Sequence, residues 1–329
     1  MKRSRRKFAA AAIVALMLVA SPGAMAQAHS DSTKFSLRQE LLTLINRDRQ
    51  QFGLAPVQLD PWVSSQADNY CRQQIRNGTT GHFTIDGLAP YARYSFAGGN
   101  DGLSENAAAW SANYSFTDRA LHEMTKGSEE SMMSEVAPHD GHRRTILDPF
   151  ATHVGIGLAW ENGEFRLTEE FVRRYLVWNG AVPRGASPDK RVPCNGRPIA
   201  GYDVDAVSVY YEPLPQPISS ITANLINSYS LPDKRRDYRP QLRTYYRRNN
   251  DGSLREIREE YSDGRRGDFP VADDGSFAFS VPFPEGPGLY TVVVWVHRKG
   301  NRTPIAASNI SIRVEDPSAA YLAARAAAR

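Results

Sequence analysis

Residues 138–149 read PHDGHRRTILDP, and residues 152–159 read THVGIGLA. Together they place three of the chain's seven histidines, His139, His142 and His153, within a short span. The second stretch alternates apolar with small residues, which predicts a strand. Two imidazoles three positions apart beside a carboxylate are able to bind a metal or move protons, but they do not complete a site. The rest of the chain must supply the partners.

The N-terminus has the pattern of a secretory signal peptide. Five basic residues within 2–7 precede an apolar run at 8–20, and small residues follow at 24–26. This order predicts a signal peptide over residues 1–26 with cleavage before Gln27. The apolar run is too short to span a bilayer comfortably. We therefore expect an exported protein, periplasmic or secreted, with no integral membrane span in its mature part.

Removing the signal peptide changes the net charge. The full chain carries 40 Lys and Arg against 36 Asp and Glu, a formal net charge of +4. Without the five basic residues of 1–26, 35 basic side chains face 36 acidic ones, a net charge of −1. The basic residues clustered at 234–266 are read as a solvated face of a strand-rich domain. The composition therefore argues against nucleic acid as a partner.

Two cysteines, Cys71 and Cys194, follow the predicted signal peptide. They have neither the CxxC spacing nor the histidine-rich context of a zinc site. Because disulfides persist outside the cytoplasm, we expect one bridge between these two residues. It would tie the segment after the first domain to an early helix.

The composition shifts near residue 180, from helical patterns and histidines to Pro, Arg, Tyr and alternating strands. This shift predicts two domains rather than one. We expect a first domain at residues 37–178, a proline-rich linker at 179–200, a second domain at 201–316 and a flexible tail at 317–329.

The first domain reads as helices followed by a hairpin. Ser36 is placed to cap a first helix, and Asp60 followed by Pro61 begins a second that stops at residues 77–78. Residues 117–135 read as a helix interrupted around 126–128. A turn at 161–164 then joins two strands. We expect an α+β arrangement with helices packed against a sheet.

The second domain reads as all-β. Short apolar or alternating segments separated by Pro, NDG and DDGS turns predict an antiparallel sandwich of immunoglobulin-like architecture. The seven predicted strands cover residues 207–211, 218–225, 243–247, 256–261, 277–282, 289–297 and 308–314. We find no catalytic constellation in this domain, so we interpret it as a binding or spacing module.

The order of motifs in the first domain resembles the CAP superfamily of cysteine-rich secretory proteins, antigen five and pathogenesis-related proteins, and its bacterial exported branch in particular. The resemblance covers residues 37 to about 175. The motifs, in the family's order, are 44–49 (LINRDR) with 53–57 (GLAPV), 81–83 (GHF), 104–107 (SENA), 141–147 (GHRRTIL) and 153–157 (HVGIG).

The resemblance implies an α-β-α sandwich whose cleft is lined by two histidines and two acidic residues. The first histidine matches His82, the first glutamate Glu105, and the second histidine His142. Glu123 is the nearest match for the second glutamate. Its rivals are Glu129, Glu130 and Glu135. Some members of the family hold a divalent metal such as zinc in this cleft.

Three interpretations of the cleft are open. Two neutral imidazoles and a carboxylate suit Zn²⁺ or another divalent cation, with His82, Glu105 and His142 as ligands. Alternatively, these three residues form a hydrogen-bonded network that only holds the cleft walls. A metal-bound water used in hydrolysis is the third interpretation, although no general base or substrate groove is visible.

Two functional hypotheses follow. The first is a non-enzymatic exported protein that binds a small molecule, lipid, metal or cell-envelope component. The second is a metal-assisted hydrolase acting on a peptide or envelope polymer. No Ser-His-Asp order, Gly-rich phosphate loop or Cys-His pair is present, so no catalytic residue is assigned. His139 is expected to be a simply exposed loop histidine, with a place at the cleft rim as the alternative, and His153 is expected on the sheet surface.

Overall fold

The structure is a computed structural model that describes residues 22–316, with side chains from residue 30 onward. The predicted tail and most of the predicted signal peptide therefore lie outside the described residues. The first part of the chain forms five helices and four strands. They are α1 (Pro22–Gln51), β1 (Gln58–Leu59), α2 (Pro61–Asn77), α3 (Pro90–Phe96), β2 (Gly102–Ser111), α4 (Asp118–Met133), α5 (Gly141–Ile146), β3 (His153–Glu161) and β4 (Glu164–Arg173).

The four strands make one sheet in the order β1-β3-β4-β2, so β2 lies at an edge. The predicted hairpin is confirmed as β3 and β4, joined at Asn162 and Gly163, both with positive φ. Helix α2 packs closely on β3. A Cβ at Gly157 would lie 2.4 Å from the backbone carbonyl carbon of Ala67, so only glycine admits the helix at this distance. The helices and sheet confirm the α+β class of this region.

The predicted limits of α2 are confirmed, and two other helix predictions are wrong. Asp60 caps α2 by accepting a hydrogen bond from Val63 N, and Gly78 ends the helix with φ 63°. Ser36, however, lies inside α1 and does not begin it. Helix α4 runs without a break through Gly127, because a single glycine inside a helix weakens it by only about 1 kcal/mol.

The second part of the chain is dominated by strands. They are β5 (Leu176–Trp178), β6 (Gly185–Ala186), β7 (Val192–Pro198), β8 (Tyr202–Glu212), β9 (Arg235–Tyr238), β10 (Thr244–Arg248), β11 (Leu254–Arg258), β12 (Phe277–Val281), β13 (Gly288–Arg298), β14 (Ile305–Ala306) and β15 (Ile310–Val314). Three of them form a sheet in the order β12-β7-β5, and another sheet runs β6-β15-β13-β8-β9 with β14 beside β13. Both sheets contribute to one apolar cluster. The immunoglobulin-like assignment stays a prediction.

Two sequence predictions in this part are wrong. The expected linker, residues 179–200, contains β6 and β7, and β7 pairs with β12 and β5. Residues 218–225, predicted as a strand, instead contain helix α6 (Ser220–Leu225). Ser219 caps this helix by accepting from Thr222 N, and Ile221 and Leu225 are exposed rather than packed in a sheet.

Hydrogen bonds join the two parts of the chain. Asn309 Oδ1 accepts from Leu103 N at 2.6 Å, which satisfies a backbone donor on the open edge of β2. Ser311 N donates to Ser95 Oγ at 2.8 Å, and Ile218 N donates to the Ile85 carbonyl at 2.8 Å. These hydrogen bonds hold the second part of the chain against the first, so the two parts are not connected by a flexible linker alone.

The predicted disulfide is wrong, because Cys71 and Cys194 are both free and buried. Cys71 lies on α2 and its thiol contacts Thr168 Oγ1 of β4 at 3.3 Å. Cys194 lies on β7, inside the apolar cluster of the second part. The two thiols thus belong to different cores. Burial raises the pKa of each to about 12, which keeps them protonated and unreactive.

None of the helices in the described part of the chain has the length and apolar character needed to cross a membrane.

Candidate functional site

The first half of the candidate site is a histidine–glutamate pair. His82 lies in the loop after α2, and Glu105 lies on β2. His82 Nδ1 is 2.9 Å from Glu105 Oε1, and both residues are buried. Because a carboxylate only accepts hydrogen bonds, this contact places a proton on Nδ1. The Nε2 of His82 is then the nitrogen left for a ligand.

Arg93 of α3 holds this pair in place. Its guanidinium bonds the second oxygen of Glu105, reaches Glu170 Oε1 at 3.2 Å and donates to the His82 carbonyl at 3.1 Å. It also stacks on Tyr70, 3.4 Å from the ring centroid. Burial raises the pKa of Glu170 to about 7, with Arg93 opposing the rise. Arg93 therefore offsets the charge of Glu105, and no sequence motif singled it out.

The second half of the site is another histidine–glutamate pair. His142 lies in the first turn of α5, and its Nδ1 is 2.5 Å from Glu135 Oε1. Glu135 Oε2 accepts from His142 N at 2.9 Å, so one carboxylate binds both the ring and the backbone of the same residue. The same donor and acceptor argument places a proton on His142 Nδ1 and leaves Nε2 free.

The two pairs meet at the edge of the sheet. Successive side chains of β2 point to opposite faces, so Glu105 contacts the α3 side and Asn106 the α4 side. Asn106 Nδ2 donates to the His142 carbonyl at 3.2 Å. His82 and His142 therefore approach β2 from opposite faces and line one cavity of about 610 Å³.

The second part of the chain supplies one wall of this cavity through Asn227, Ser228 and Tyr229. The Tyr229 hydroxyl accepts from Glu105 N at 2.5 Å, and its ring meets the His82 ring edge to face with centroids 4.8 Å apart. Sequence reasoning missed these residues. They lie more than a hundred positions from Glu105 in an irregular segment without a motif, so only the tertiary structure brings them to the site.

The structure does not bring Glu123 to the cleft. Its side chain is 63% exposed on α4 and pairs with Arg119, one turn away, at 2.8 Å. Glu135, one of the three rivals, occupies the position expected for the second glutamate. It lies just beyond the end of α4 and reaches the first turn of α5, whereas Glu123 lies on the solvent face of the helix.

The other two histidines of residues 138–159, His139 and His153, are not part of either histidine–glutamate pair. His139 is exposed, as expected, and it also lines the cavity, which was the alternative for this residue. His153 lies at the start of β3, outside the residues that line the cavity, with Nδ1 3.0 Å from Thr152 Oγ1. Burial, and then the charge of Arg174, lower the pKa of His153 and favour its neutral form.

The predicted three-ligand metal set does not fit the geometry. Both oxygens of Glu105 are already bonded, one to His82 and one to Arg93. Within residues 30–316, no group of three or more His, Cys, Asp or Glu side chains is placed to hold a metal ion by itself. What the cleft offers is two imidazole Nε2 atoms, each on a ring whose Nδ1 is oriented by a glutamate, as is common for zinc-binding histidines.

The comparison with protein families identifies the first part of the chain. Residues 42–170 match the model of the cysteine-rich secretory protein (CAP) family. Residues 42–170 are therefore a CAP-family domain, which confirms the resemblance seen in the motifs.

A solved structure of an extracellular protein containing an SCP domain, from Bacillus anthracis strain Ames, is similar at 18% identity with a TM-score of 0.31. The match covers 41% of this chain and 40% of that one. A search of curated proteins found no match.

Tyr229 gives a test of the wall contributed by the second part. Tyr229→Phe removes the acceptor of the buried Glu105 N–H, so we expect the free energy of unfolding to fall by about 1–2 kcal/mol. Urea denaturation followed by circular dichroism measures this change. Tyr114→Phe is the matched control, because Tyr114 is 65% exposed. Equal stability of both variants and the unaltered protein would contradict the assigned contact.

Proposed function

We propose that the protein is an exported, non-enzymatic binding protein whose cleft holds a small molecule, lipid or cell-envelope component. The supporting observation is the paired arrangement of His82 with Glu105 and of His142 with Glu135 around one cavity. Export is inferred from the pattern of residues 1–26.

The hydrogen bonds of the two glutamates argue against a direct catalytic role for either carboxylate. Glu105 is engaged by His82 and Arg93, and Glu135 by the ring and backbone of His142. Neither carboxylate is free to serve as a general base for a substrate or water. Both instead orient an imidazole whose Nε2 accepts a hydrogen bond or binds a cation.

A divalent cation such as Zn²⁺ is part of the proposal. His82 and His142 would hold it through Nε2, and Glu105 and Glu135 would keep those rings oriented. Bound there, the ion would act as a Lewis acid toward an oxygen of the bound molecule. The protein's own contribution is the orientation of the two rings and the wall formed by Asn227, Ser228 and Tyr229.

The experiment compares the natively exported protein with two cleft variants and one control. We expect mass spectrometry to find a co-purifying molecule, and isolated bacterial envelope to retain the protein. His82→Ala and His142→Ala should each reduce both signals about tenfold or more, as expected from losing a charge-assisted or metal contact. His122→Ala is the control, since that ring pairs with Glu40 away from the cavity.

Two results would overturn the proposal. One is that the envelope retains the unaltered protein and the three variants equally, or retains none of them. The other is release of cleaved fragments from the envelope by the unaltered protein and not by His142→Ala, which would favour the metal-assisted hydrolase.

A further inference from the structure

A second group of polar side chains lies on the other face of β2 and β4, away from the His82 pair. It consists of Asn106 on β2, Glu169 on β4, and Thr125 and Glu129 on α4. Glu129, Glu169 and Thr125 are 0% exposed and Asn106 is 1% exposed. We call these four residues the oxygen cluster. Of the four, Asn106 also donates to the His142 carbonyl.

The four residues are neighbours. Asn106 lies opposite Glu169 in the register of β2 and β4, and Asn106 Nδ2 donates to Glu169 Oε2 at 3.1 Å. Thr125 and Glu129 are one turn apart on α4, so they share a face of the helix. Burial, and then the adjacent Glu169 carboxyl, raise the pKa of Glu129, which places the two acids side by side.

The cluster has an excess of acceptors. Among the described side chains, Oδ1 of Asn106 and Oγ1 of Thr125 have no hydrogen-bond partner. Both oxygens of Glu129 and Oε1 of Glu169 have none beyond the contact between the two carboxyl groups themselves. The Asn106 amide cannot flip to donate to the other oxygens, because its NH₂ group already binds Glu169 and the His142 carbonyl. Arg47, the basic group that acts on Glu129, is paired with Asp48 at 2.9 Å.

Two adjacent buried carboxylates are too costly to persist as bare anions, so either a shared proton or a bound cation must offset their charge. An environment of carboxylate, amide and hydroxyl oxygens, without nitrogen or sulfur ligands, suits a hard cation. We propose that the oxygen cluster binds a divalent cation, Ca²⁺ or Mg²⁺, separate from the two imidazoles of the cleft. The cation is held by Glu129 and Glu169, with the neutral oxygens of Asn106 and Thr125 completing the protein ligands.

This site would also support the cleft. Asn106 contacts the cluster through its oxygen and the His142 carbonyl through its nitrogen. A cation bound to the oxygen would fix the amide and so the position of α5. The inference does not depend on the proposed ligand of the cleft, and its test uses only the ion as probe.

The test measures bound metal and thermal stability of the chelator-treated protein with added Ca²⁺ or Mg²⁺. We expect one equivalent of cation by elemental analysis and a rise in melting temperature of about 5–10 °C at saturation. Glu129→Gln should abolish both effects. Glu130→Gln, which changes the next residue, exposed on the same helix, should keep them. His82→Ala should also keep them, which separates this site from the cleft.

The competing explanation is a proton shared by Glu129 and Glu169. In that case neither cation binds or raises the melting temperature of the unaltered protein, and Glu129→Gln is as stable as the unaltered protein or more so. Infrared spectroscopy at neutral pH would then show a protonated carboxylic acid that is absent from this variant. Those results would overturn the proposal. If Glu129→Gln fails to fold, the cation binding and melting temperature of the unaltered protein decide between the two explanations.

Discussion

Arg93→Met is expected to lower the free energy of unfolding by about 3–5 kcal/mol, because it leaves buried carboxylates without their counter-charge. The guanidinium bonds both Glu105 and Glu170, and both side chains are almost fully buried. Methionine fills similar space but offers no donor. Urea denaturation followed by intrinsic fluorescence measures the loss.

Two further variants identify its cause. Arg93→Lys keeps the positive charge but lacks the planar guanidinium that binds both carboxylates, so we expect an intermediate loss of unfolding free energy. Adding Glu105→Gln to Arg93→Met should recover part of the stability, because one uncompensated charge is removed. A loss below about 1 kcal/mol for Arg93→Met, typical of an exposed ion pair, would contradict the buried network.

Arg49→Met is expected to cost about 2–4 kcal/mol, because it leaves several buried carbonyls without donors. Arg49 of α1 is 0% exposed and donates to the carbonyls of Ala55, Ile146 and Asp148 at 2.9, 2.7 and 2.9 Å. These bonds fix the end of α5, the helix that carries His142. The thermal melting temperature and urea midpoint measure the effect.

Arg47→Met serves as the control for Arg49→Met, since the Arg47 side chain is half exposed two positions away. We expect the control to cost less than about 1 kcal/mol. If both substitutions cost the same, the three carbonyl contacts are not what holds α5.

The elements with strong local signals could be predicted from the sequence. The cap of α2 follows from Asp60 and Pro61, and the hairpin follows from alternating residues around Asn162 and Gly163. The predictions that failed had competing local and tertiary signals. The proline-rich residues 179–200 look like a linker, yet β7 is held by pairing with β12, far away in sequence.

Part of the cavity lining could be predicted from motifs. Short motifs surround His82, Glu105 and His142, and these residues do line one cavity, while their role as binding residues stays a prediction. Glu135 could not be chosen over Glu123, since the choice depends on where α4 ends relative to α5. Arg93 and Tyr229 reach the site through tertiary contacts that the spacing of residues does not encode.

The cysteines show the same limit. An exported chain with two thiols favours a bridge on chemical grounds, but pairing requires the two Cα atoms to approach within about 7 Å. Cys71 faces β4 and Cys194 faces the core of the second part, so the fold keeps them apart.

Glu105 and Glu135 each bind Nδ1 of a histidine that lines the cavity, which leaves Nε2 of both rings available to a ligand. Nitrogen-resolved NMR of the histidine rings at about pH 8, where an imidazole of ordinary pKa is neutral, tests this arrangement most directly. We predict that His82 and His142 both carry their proton on Nδ1, and that His82→Ala and His142→Ala each remove one of these signals. A proton on Nε2 of either ring would contradict the account.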